Sequence, residues 1–386
     1  MKLSPESAPN RHYVGLDVLR FIAAALVMGF HLSYWSWVPV MSTPKLISGA
    51  PYQFEETNFL TWFGWVGVEI FFVISGFVIV FSAGTSAWKF ARSRILRLVP
   101  AAWICAPVAL VILLAGGFYT VPHNIGRFVR TITFYPFAPW VDGVYWTLGI
   151  EISFYAVIFL LIAAKLKHLL NLVLSLIGLL SSAYWAWQFN LIARAGEGEF
   201  PLLMDKMSGG DRIFELLLLK HGCFFAIGGL LWSLLCAAAP RAYWAVVLIC
   251  IGTGCFEIYA GGIGHSLEDG QGHSILVPIL FWLASMLFVI GSVVWNGPIS
   301  EIVPVRLGRT VGLATYPLYL LHDVAGAALL KLFASIGFNR WLALIFAFSI
   351  AIAASIWIAT WLEPILKRRL ALVLDWGAAR VVAAPR

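Results

Sequence analysis

The sequence predicts an all-α, polytopic integral membrane protein, and three observations support this fold class. The 386 residues are 61% hydrophobic and 12% charged, with a mean hydropathy of +0.88, whereas a soluble domain is about half apolar and a quarter charged. Unbroken apolar runs such as 101–118 and 274–295 have the length of a membrane helix. Most Lys and Arg residues fall at the ends of such runs. Strands of a membrane barrel would instead alternate over about ten residues, so we expect a helical bundle.

Ten membrane spans are predicted from apolar runs of about 20 residues. They cover residues 14–35, 62–82, 100–119, 145–164, 169–187, 213–236, 242–260, 274–295, 310–333 and 341–362. Sixteen of the 26 Lys and Arg residues fall on one side of this arrangement and seven on the other, which predicts that both termini are cytoplasmic. We expect a single membrane domain over 1–386, with its spans within 14–362 and a short basic cytoplasmic tail over 363–386.

Composition also argues against several classes of protein. The net charge of +7 does not indicate nucleic-acid binding, because the cations cluster at span ends as in an oriented membrane protein. The first span is not a cleaved signal peptide, since it contains Asp17 and Arg20 and lacks a small-residue cleavage site. The five cysteines form no CxxC pair and lie in or beside apolar stretches, so we predict no metal site.

The first span carries two candidate functional residues, Arg20 and His31. Eleven residues make about three helical turns, so the two side chains share a face and lie roughly 16 Å apart along the axis. An Arg inside a span is costly and normally faces a partner or a watery cavity. Two other interpretations stay open: Arg20 extends to the interface beside Asp17, and His31 forms an interhelical hydrogen bond.

A basic segment, KFARSRILRLVP, covers residues 89–100 and is predicted as a cytoplasmic loop that ends where Pro100 opens span three. Its arginines Arg92, Arg94 and Arg97 could bind phosphates bidentately, as in a nucleotide-like donor. The alternative is a topology anchor that contacts lipid phosphates.

Two acidic residues stand in apolar surroundings, Glu69 and Glu151. Burying a carboxylate in a membrane is expensive, which favours a pairing role or a site. We expect Glu69 to form an ion pair with Arg20. The neighbouring Ser75-Gly76 pair fits either a site or a close approach of two helices.

Span nine contains Tyr316, Tyr319 and His322 at steps of three, which places them on one helical face. This stripe could hold a hydroxyl substrate or a donor headgroup, or it could be ordinary packing. We assign no role to the remaining histidines, which are His12, His123, His168, His221, His265 and His273.

Taken together, these segments resemble acyltransferase family 3 of the membrane O-acyltransferases. Arg20 and His31 match the family's first-span motif of a basic residue, ten others and a His. GVEIFFVISGFVI resembles its second-span motif, with Glu69 where many members have Asp. The other resembling segments are Arg94-x-x-Arg97 before Pro100, the stretch with Trp146, Leu148 and Glu151, and YPLYLLHD. Glu363-Pro364 lacks the spacer of a terminal Glu-x-Pro signal, so we discount it, and 165–305 carries no recognised motif.

The resemblance implies an acyl-coenzyme A donor, with acetyl as the default group, bound from the cytoplasm. It implies an acceptor hydroxyl on a sugar, a cell-surface polysaccharide or a lipid-linked glycan, and a multi-pass location in the bacterial inner membrane. No permanently bound cofactor is expected. Because little chain follows the last predicted span, we expect a stand-alone form without the extracytoplasmic domain that many members carry.

A mechanism follows as a hypothesis. Arg92, Arg94 and Arg97 bind the donor phosphates, and Arg20 orients the donor where its arm enters the bundle. His31 acts as general base on the acceptor hydroxyl.

The expected roles of the other candidates are supporting ones. Glu69 or Glu151 fixes the His31 tautomer or holds Arg20, and Asp17, Ser75, Tyr316, Tyr319 and His322 support the site. A covalent acyl-His or acyl-Ser intermediate stays open.

Two other classes of protein fit part of this pattern. Intramembrane Arg, Glu and His also suit a proton-coupled transporter or flippase, but the sequence shows neither an internal repeat nor paired broken helices. A structural scaffold explains the buried charges poorly.

Overall fold

The computed structural model describes residues 12–84, 86–194, 212–269 and 272–383, and this part of the chain is helical and contains no strand. The α-helices are α1 (Val14–Phe30), α2 (Thr43–Ser48), α3 (Asn58–Thr61), α4 (Gly67–Ser82), α5 (Ala87–Ala115), α6 (Val121–Ile132), α7 (Trp146–Ala163), α8 (Leu170–Arg194), α9 (Arg212–Leu216), α10 (Gly222–Cys236), α11 (Tyr243–Asp269), α12 (Leu276–Val294), α13 (Asn296–Ile302), α14 (Val305–Leu321), α15 (Val324–Ser335), α16 (Arg340–Trp357) and α17 (Glu363–Ala383). Short 3₁₀ turns cover Glu55–Thr57, Gly64–Val66, Gly143–Tyr145 and Lys167–Leu169, and π-helical segments cover His31–Trp35 and Ile358–Leu362.

The predicted fold class is confirmed, while the number of spans differs in detail. Within the described residues, eight helices are long and apolar enough to cross a membrane, or nine if the bent pair α14–α15 counts as one span. Each predicted span corresponds to a helix or a helix pair. In the pair that corresponds to span six, however, α10 has only 15 residues, fewer than the roughly 20 that a full crossing requires.

Two predicted spans are broken in the structure. Span six is interrupted between α9 and α10, where Leu218 adopts a positive φ of 61° that ends the helix. Span nine bends by 71° between α14 and α15. At this bend the backbone N–H of Val324 donates to the Asp142 carboxylate at 3.2 Å, so an oxygen from another part of the chain supports the start of α15.

The basic segment is not a loop, and this prediction was wrong. Residues 89–100 lie inside α5, which begins after Ser86, whose hydroxyl accepts from the backbone N–H of Lys89 at 3.3 Å. Pro100 lies within α5 rather than at its start, as proline can in a membrane helix when neighbouring groups satisfy the backbone. The tail is likewise helical over Glu363–Ala383, because α17 continues from α16 through the π-helical segment.

Helices α4 and α10 approach each other closely at glycines. A Cβ built on Gly76 would lie 2.2 Å from the carbonyl oxygen of Phe225, and one on Gly228 would lie 1.8 Å from that of Val73. Neither position can carry a side chain without moving the partner backbone. The Ser75-Gly76 pair therefore serves helix packing through Gly76, which is one of the two roles that the sequence left open.

Helix α1 lies at the centre of the bundle and packs against α4, α12 and α14. Its buried residues include Leu16, Leu19, Ala23 and Val27, which join the main hydrophobic core. Side chains on α1 can therefore reach spaces enclosed by several helices.

Candidate active site

Two cavities lie one behind the other along the axis of α1. Arg20 lines the first, which we call the basic cavity and which measures about 390 Å³. His31 lines the second, the histidine cavity, which measures about 340 Å³. Val68 and Tyr319 line both cavities, so the two spaces adjoin at these side chains.

The basic cavity carries an excess of positive charge. Its charged lining residues are Arg20, Arg94, Arg97, Lys367 and Glu151, four cations against one carboxylate. Much of the remaining wall is apolar, as at Phe71, Phe72 and Leu148. Because a low-dielectric wall strengthens electrostatic interactions, this cavity favours an anionic ligand with an apolar portion.

Arg94 and Arg97 are held in place by aromatic rings. The guanidinium of Arg94 lies 5.7 Å from the ring centre of Tyr155, and that of Arg97 lies 5.5 Å from the ring centre of Tyr316. Cation–π contacts of this kind restrict a guanidinium without using its charge on a carboxylate. Both groups stay available to a phosphate.

Arg92 lies elsewhere. It forms a bidentate pair with Asp375 at 2.7 and 2.8 Å on the protein surface and is absent from the described lining of the basic cavity. Of the three arginines expected to bind donor phosphates, the structure brings Arg94 and Arg97 together and separates Arg92 from them.

Arg20 has the partner that the sequence indicated. A nitrogen of its guanidinium lies 3.5 Å from Asp17, which also lies 2.7 Å from the ring of His12. Arg20 nevertheless lines the basic cavity, so its contact with Asp17 does not remove it from that space. The expected ion pair between Arg20 and Glu69 was wrong, because Glu69 lies in the first turn of α4 and lines the histidine cavity, whereas Arg20 lines the basic cavity.

Glu151 joins two helices at the wall of the basic cavity. One of its carboxylate oxygens accepts hydrogen bonds from the hydroxyl of Ser75, at 2.7 Å, and from the hydroxyl of Tyr155. Ser75 lies on α4, while Glu151 and Tyr155 lie one turn apart on α7. Glu151 is thus placed to shape the basic cavity, and it is not the group that contacts His31.

The discounted Glu363 also proves to lie beside this cavity. Its side chain is fully buried and pairs with Lys367 at 2.6 Å, one helical turn later on α17. Lys367 lines the basic cavity. Helix α17 thus contributes one of the cations that line the basic cavity.

His31 and His322 form a hydrogen-bonded pair across two helices. Nε2 of His322 lies 2.9 Å from Nδ1 of His31, and His322 is completely buried. Nδ1 of His31 also lies 3.0 Å from the carbonyl oxygen of Val27, and Nδ1 of His322 lies 3.2 Å from that of Leu318.

These contacts select one tautomer for each ring. A carbonyl oxygen can only accept, so each Nδ1 carries a hydrogen. Nε2 of His322 is then an acceptor for the Nδ1–H of His31, which leaves Nε2 of His31 with a lone pair. His31 therefore has the arrangement of a general base whose far nitrogen is oriented by a second group.

His31 is also the first residue of the π-helical segment that follows α1. Such segments are rare and often occur at functional sites, because the wider turn redirects side chains. Here the change of helical form coincides with the residue that faces the histidine cavity.

The Tyr316, Tyr319 and His322 stripe is divided between the two cavities. Successive steps of three residues each turn back by about 60°, so the stripe winds around the helix. Tyr316 lines the basic cavity, Tyr319 lines both cavities, and His322 contacts His31. All three surround the junction of the two cavities.

Sequence reasoning missed most of the histidine cavity. The cavity is lined by His221, His265, Glu257, Lys220 and Asp323, and by the aromatic residues Phe30, Trp35, Trp65, Trp146 and Trp185. These residues come from distant parts of the chain, so no local pattern links them. Tyr155 is the missed residue that a pattern could have found, since it follows Glu151 by one helical turn.

Comparison with known proteins identifies the family. A family model described as an acyltransferase domain matches residues 13–360, which is most of the chain. The chain belongs to acyltransferase family 3. The family predicted from the motifs is thereby confirmed.

Two curated relatives are similar to parts of this family member. One, named "Putative membrane-bound transacylase BcsY" in Komagataeibacter xylinus, is 26% identical over 278 residues, covering 64% of this chain and 59% of the relative. Nodulation protein 10 of Rhizobium leguminosarum bv. viciae is 29% identical over 167 residues, covering 37% of this chain and 42% of the relative. The chain thus spans less than two thirds of either relative, and no solved structure shows a significant match to it.

Proposed function

We propose that this membrane acyltransferase moves an acyl group, with acetyl as the default, from cytoplasmic acyl-coenzyme A to a hydroxyl of a sugar, cell-surface polysaccharide or lipid-linked glycan. Its proposed location is the bacterial inner membrane. The observation that carries the proposal is the junction of a cation-rich cavity with a histidine-bearing one at Val68 and Tyr319. Donor and acceptor can enter from opposite ends and meet there.

The basic cavity suits coenzyme A. The donor carries a pyrophosphate and a 3′-phosphate, and guanidinium groups bind phosphate oxygens bidentately. Arg94 and Arg97 supply such groups, while Arg20 lies deeper along α1. The apolar wall at Phe71, Phe72 and Leu148 suits the uncharged arm that carries the thioester toward Tyr319.

His31 performs the proton transfers in this proposal. Its Nε2 takes the hydroxyl proton as the acceptor oxygen attacks the thioester carbonyl, and the resulting imidazolium donates its Nδ1–H to His322. The tetrahedral intermediate then collapses, the carbon–sulfur bond breaks, and the leaving thiolate takes the proton from Nε2. Positioned proton transfer of this kind contributes about 10²–10⁴-fold to the rate.

The histidine cavity suits a polyhydroxylated acceptor. Aromatic faces such as those of Trp35, Trp65 and Trp146 can pack against the C–H faces of a sugar ring, and carboxylates such as Asp323 can accept from its hydroxyls. This combination supports a sugar over a purely apolar alcohol.

The test uses membranes that contain the protein, labelled acetyl-coenzyme A and extracted lipid-linked or polysaccharide acceptors. His31→Ala should lower transfer by about 10²-fold or more. His168→Ala is the matched control, because His168 is exposed in the turn before α8. Coenzyme A should raise the melting temperature of the wild type and of both variants, which shows that the donor cavity is folded. Unimpaired transfer by a folded His31→Ala variant would refute the role of His31 as the general base.

A further inference from the structure

A second set of side chains converges in the wall of the histidine cavity, apart from His31. Glu69 comes from the first turn of α4, His221 from the turn before α10, and Glu257 from the middle of α11. One ligand atom from each lies within 4.8 Å of the others. Their exposed fractions are only 6%, 3% and 5%.

Several polar atoms of this cluster lack a hydrogen-bond partner among the described residues. They are Oε2 of Glu69, both ring nitrogens of His221 and Oε1 of Glu257. Buried polar atoms in proteins are nearly always satisfied, so several orphans at one point call for an explanation. Nδ1 of His221 nevertheless lies 2.6 Å from Oε1 of Glu257, a distance at which the two groups form an ion pair when His221 is protonated. Oε2 of Glu69 and Nε2 of His221 remain without a hydrogen-bond partner among the described residues.

The neighbouring residues hold Glu257 in position. Its other oxygen, Oε2, accepts from the indole N–H of Trp185 at 3.1 Å and lies 3.7 Å from the sulfur of Cys223. Oε1 is thereby directed toward His221 and Glu69. Contacts of this type orient metal-binding carboxylates in known sites.

The local charges leave room for a cation. Glu215 lies 2.8 Å from Arg212 and 3.6 Å from Lys220, and Lys220 also attracts the carboxylates of Glu69 and Glu257. Three carboxylates thus stand beside two cations. Isolated buried carboxylates are strongly unfavourable and are normally paired or bound to metal.

We propose that Glu69, His221 and Glu257 bind one divalent cation, and that this cation is Zn²⁺. One imidazole nitrogen and two carboxylate oxygens are ligands that zinc accepts at about 2.0–2.2 Å. Tetrahedral binding at that length separates ligand atoms by about 3.3 Å, so small side-chain rotations from the present positions suffice. Three protein ligands would leave a fourth position open, and all three ligand residues line the histidine cavity. An acceptor oxygen would occupy that position, a role that rests on the proposed function.

The test measures metal content directly, independently of transfer. The full chain is purified in detergent, incubated with Zn²⁺, Mn²⁺ and Mg²⁺ together, desalted and analysed by elemental mass spectrometry. The cluster variants are Glu257→Gln and His221→Gln. The matched controls are Glu151→Gln and His31→Gln, which change the same residue types outside the cluster. Size-exclusion chromatography checks that each variant is monodisperse.

We expect about one zinc per chain in the wild type and in both controls. Both cluster variants should lose zinc affinity by about tenfold or more, and zinc should raise the melting temperature of the wild type but not of Glu257→Gln. Zinc-free wild-type protein, stoichiometric manganese or magnesium in place of zinc, or zinc retained by monodisperse Glu257→Gln and His221→Gln would overturn the proposal. None of these outcomes depends on whether acyl transfer is observed.

Discussion

Replacing His322 by Phe should slow acyl transfer while leaving use of the donor intact. Phe fills nearly the same volume, but it removes the nitrogen that lies 2.9 Å from Nδ1 of His31. His31 keeps a second acceptor, the carbonyl oxygen of Val27 at 3.0 Å. The tautomer of His31 is therefore preserved, and only the additional stabilisation of its protonated form is lost.

The size of the effect follows from that lost hydrogen bond. A hydrogen bond to a charged group contributes about 1.5–3 kcal/mol. Since about 1.36 kcal/mol corresponds to a tenfold change in rate, kcat should fall by about 10- to 150-fold. KM for acyl-coenzyme A should change little, because Arg94 and Arg97 lie in the basic cavity and have no contact with His322.

The assay is initial-rate transfer from acetyl-coenzyme A over a range of donor concentrations, in membranes with equal amounts of folded protein. His322→Gln is the conservative variant, because its side-chain oxygen can reach the place of Nε2 and accept from His31; it should recover part of the rate. An unchanged kcat in a folded His322→Phe variant would refute the assigned orienting role. A loss confined to KM would also refute it, since the residue would then act on binding.

Two further predictions concern the donor and the helix packing. Arg94→Ala should weaken binding of coenzyme A by about tenfold or more in a thermal-shift titration, whereas Arg92→Ala should leave it unchanged, because Arg92 pairs with Asp375 on the surface. If both variants weakened coenzyme A binding equally, Arg92 would have to contribute to donor binding as well. Gly76→Val should destabilise the protein by about 1–3 kcal/mol in thermal unfolding, because its Cβ would lie 2.2 Å from the backbone of α10. Gly252→Ala is the control and should not lower the melting temperature, because the space beside Gly252 is open. Equal melting temperatures of the two variants would contradict this account of the packing.

The fold class was predictable because it depends on local composition. Runs of apolar residues must be helical in lipid, and their ends carry the cations. The wrong prediction of a loop over 89–100 also comes from local composition. Hydropathy falls where Lys89, Arg92, Arg94 and Arg97 occur, so a prediction from hydropathy starts the span only after them. Arginine and lysine are nevertheless good helix formers, and α5 includes all four residues.

The candidate site was predictable only where its residues share one helix. Arg20 and His31 could be related by helical geometry, and each faces a cavity in the structure. The partner of His31 could not be identified from spacing, because His322 stands 291 positions away on a different span. The same limit applies to Glu69, whose neighbours His221 and Glu257 come from unrelated segments.

The arrangement of α1 explains why both ends of one helix carry polar side chains. If Arg20 were only an interface anchor, the opposite end of the helix would need no polar partner. Instead His31 lies about three turns away and contacts a buried histidine at the bend between α14 and α15. Asp142 supports that bend by accepting from Val324, and Tyr319 separates the cavities one turn earlier. His322 continues α14 in helical conformation, so α14 places an orienting group beside His31 where the two cavities adjoin, and the chain bends away immediately after it.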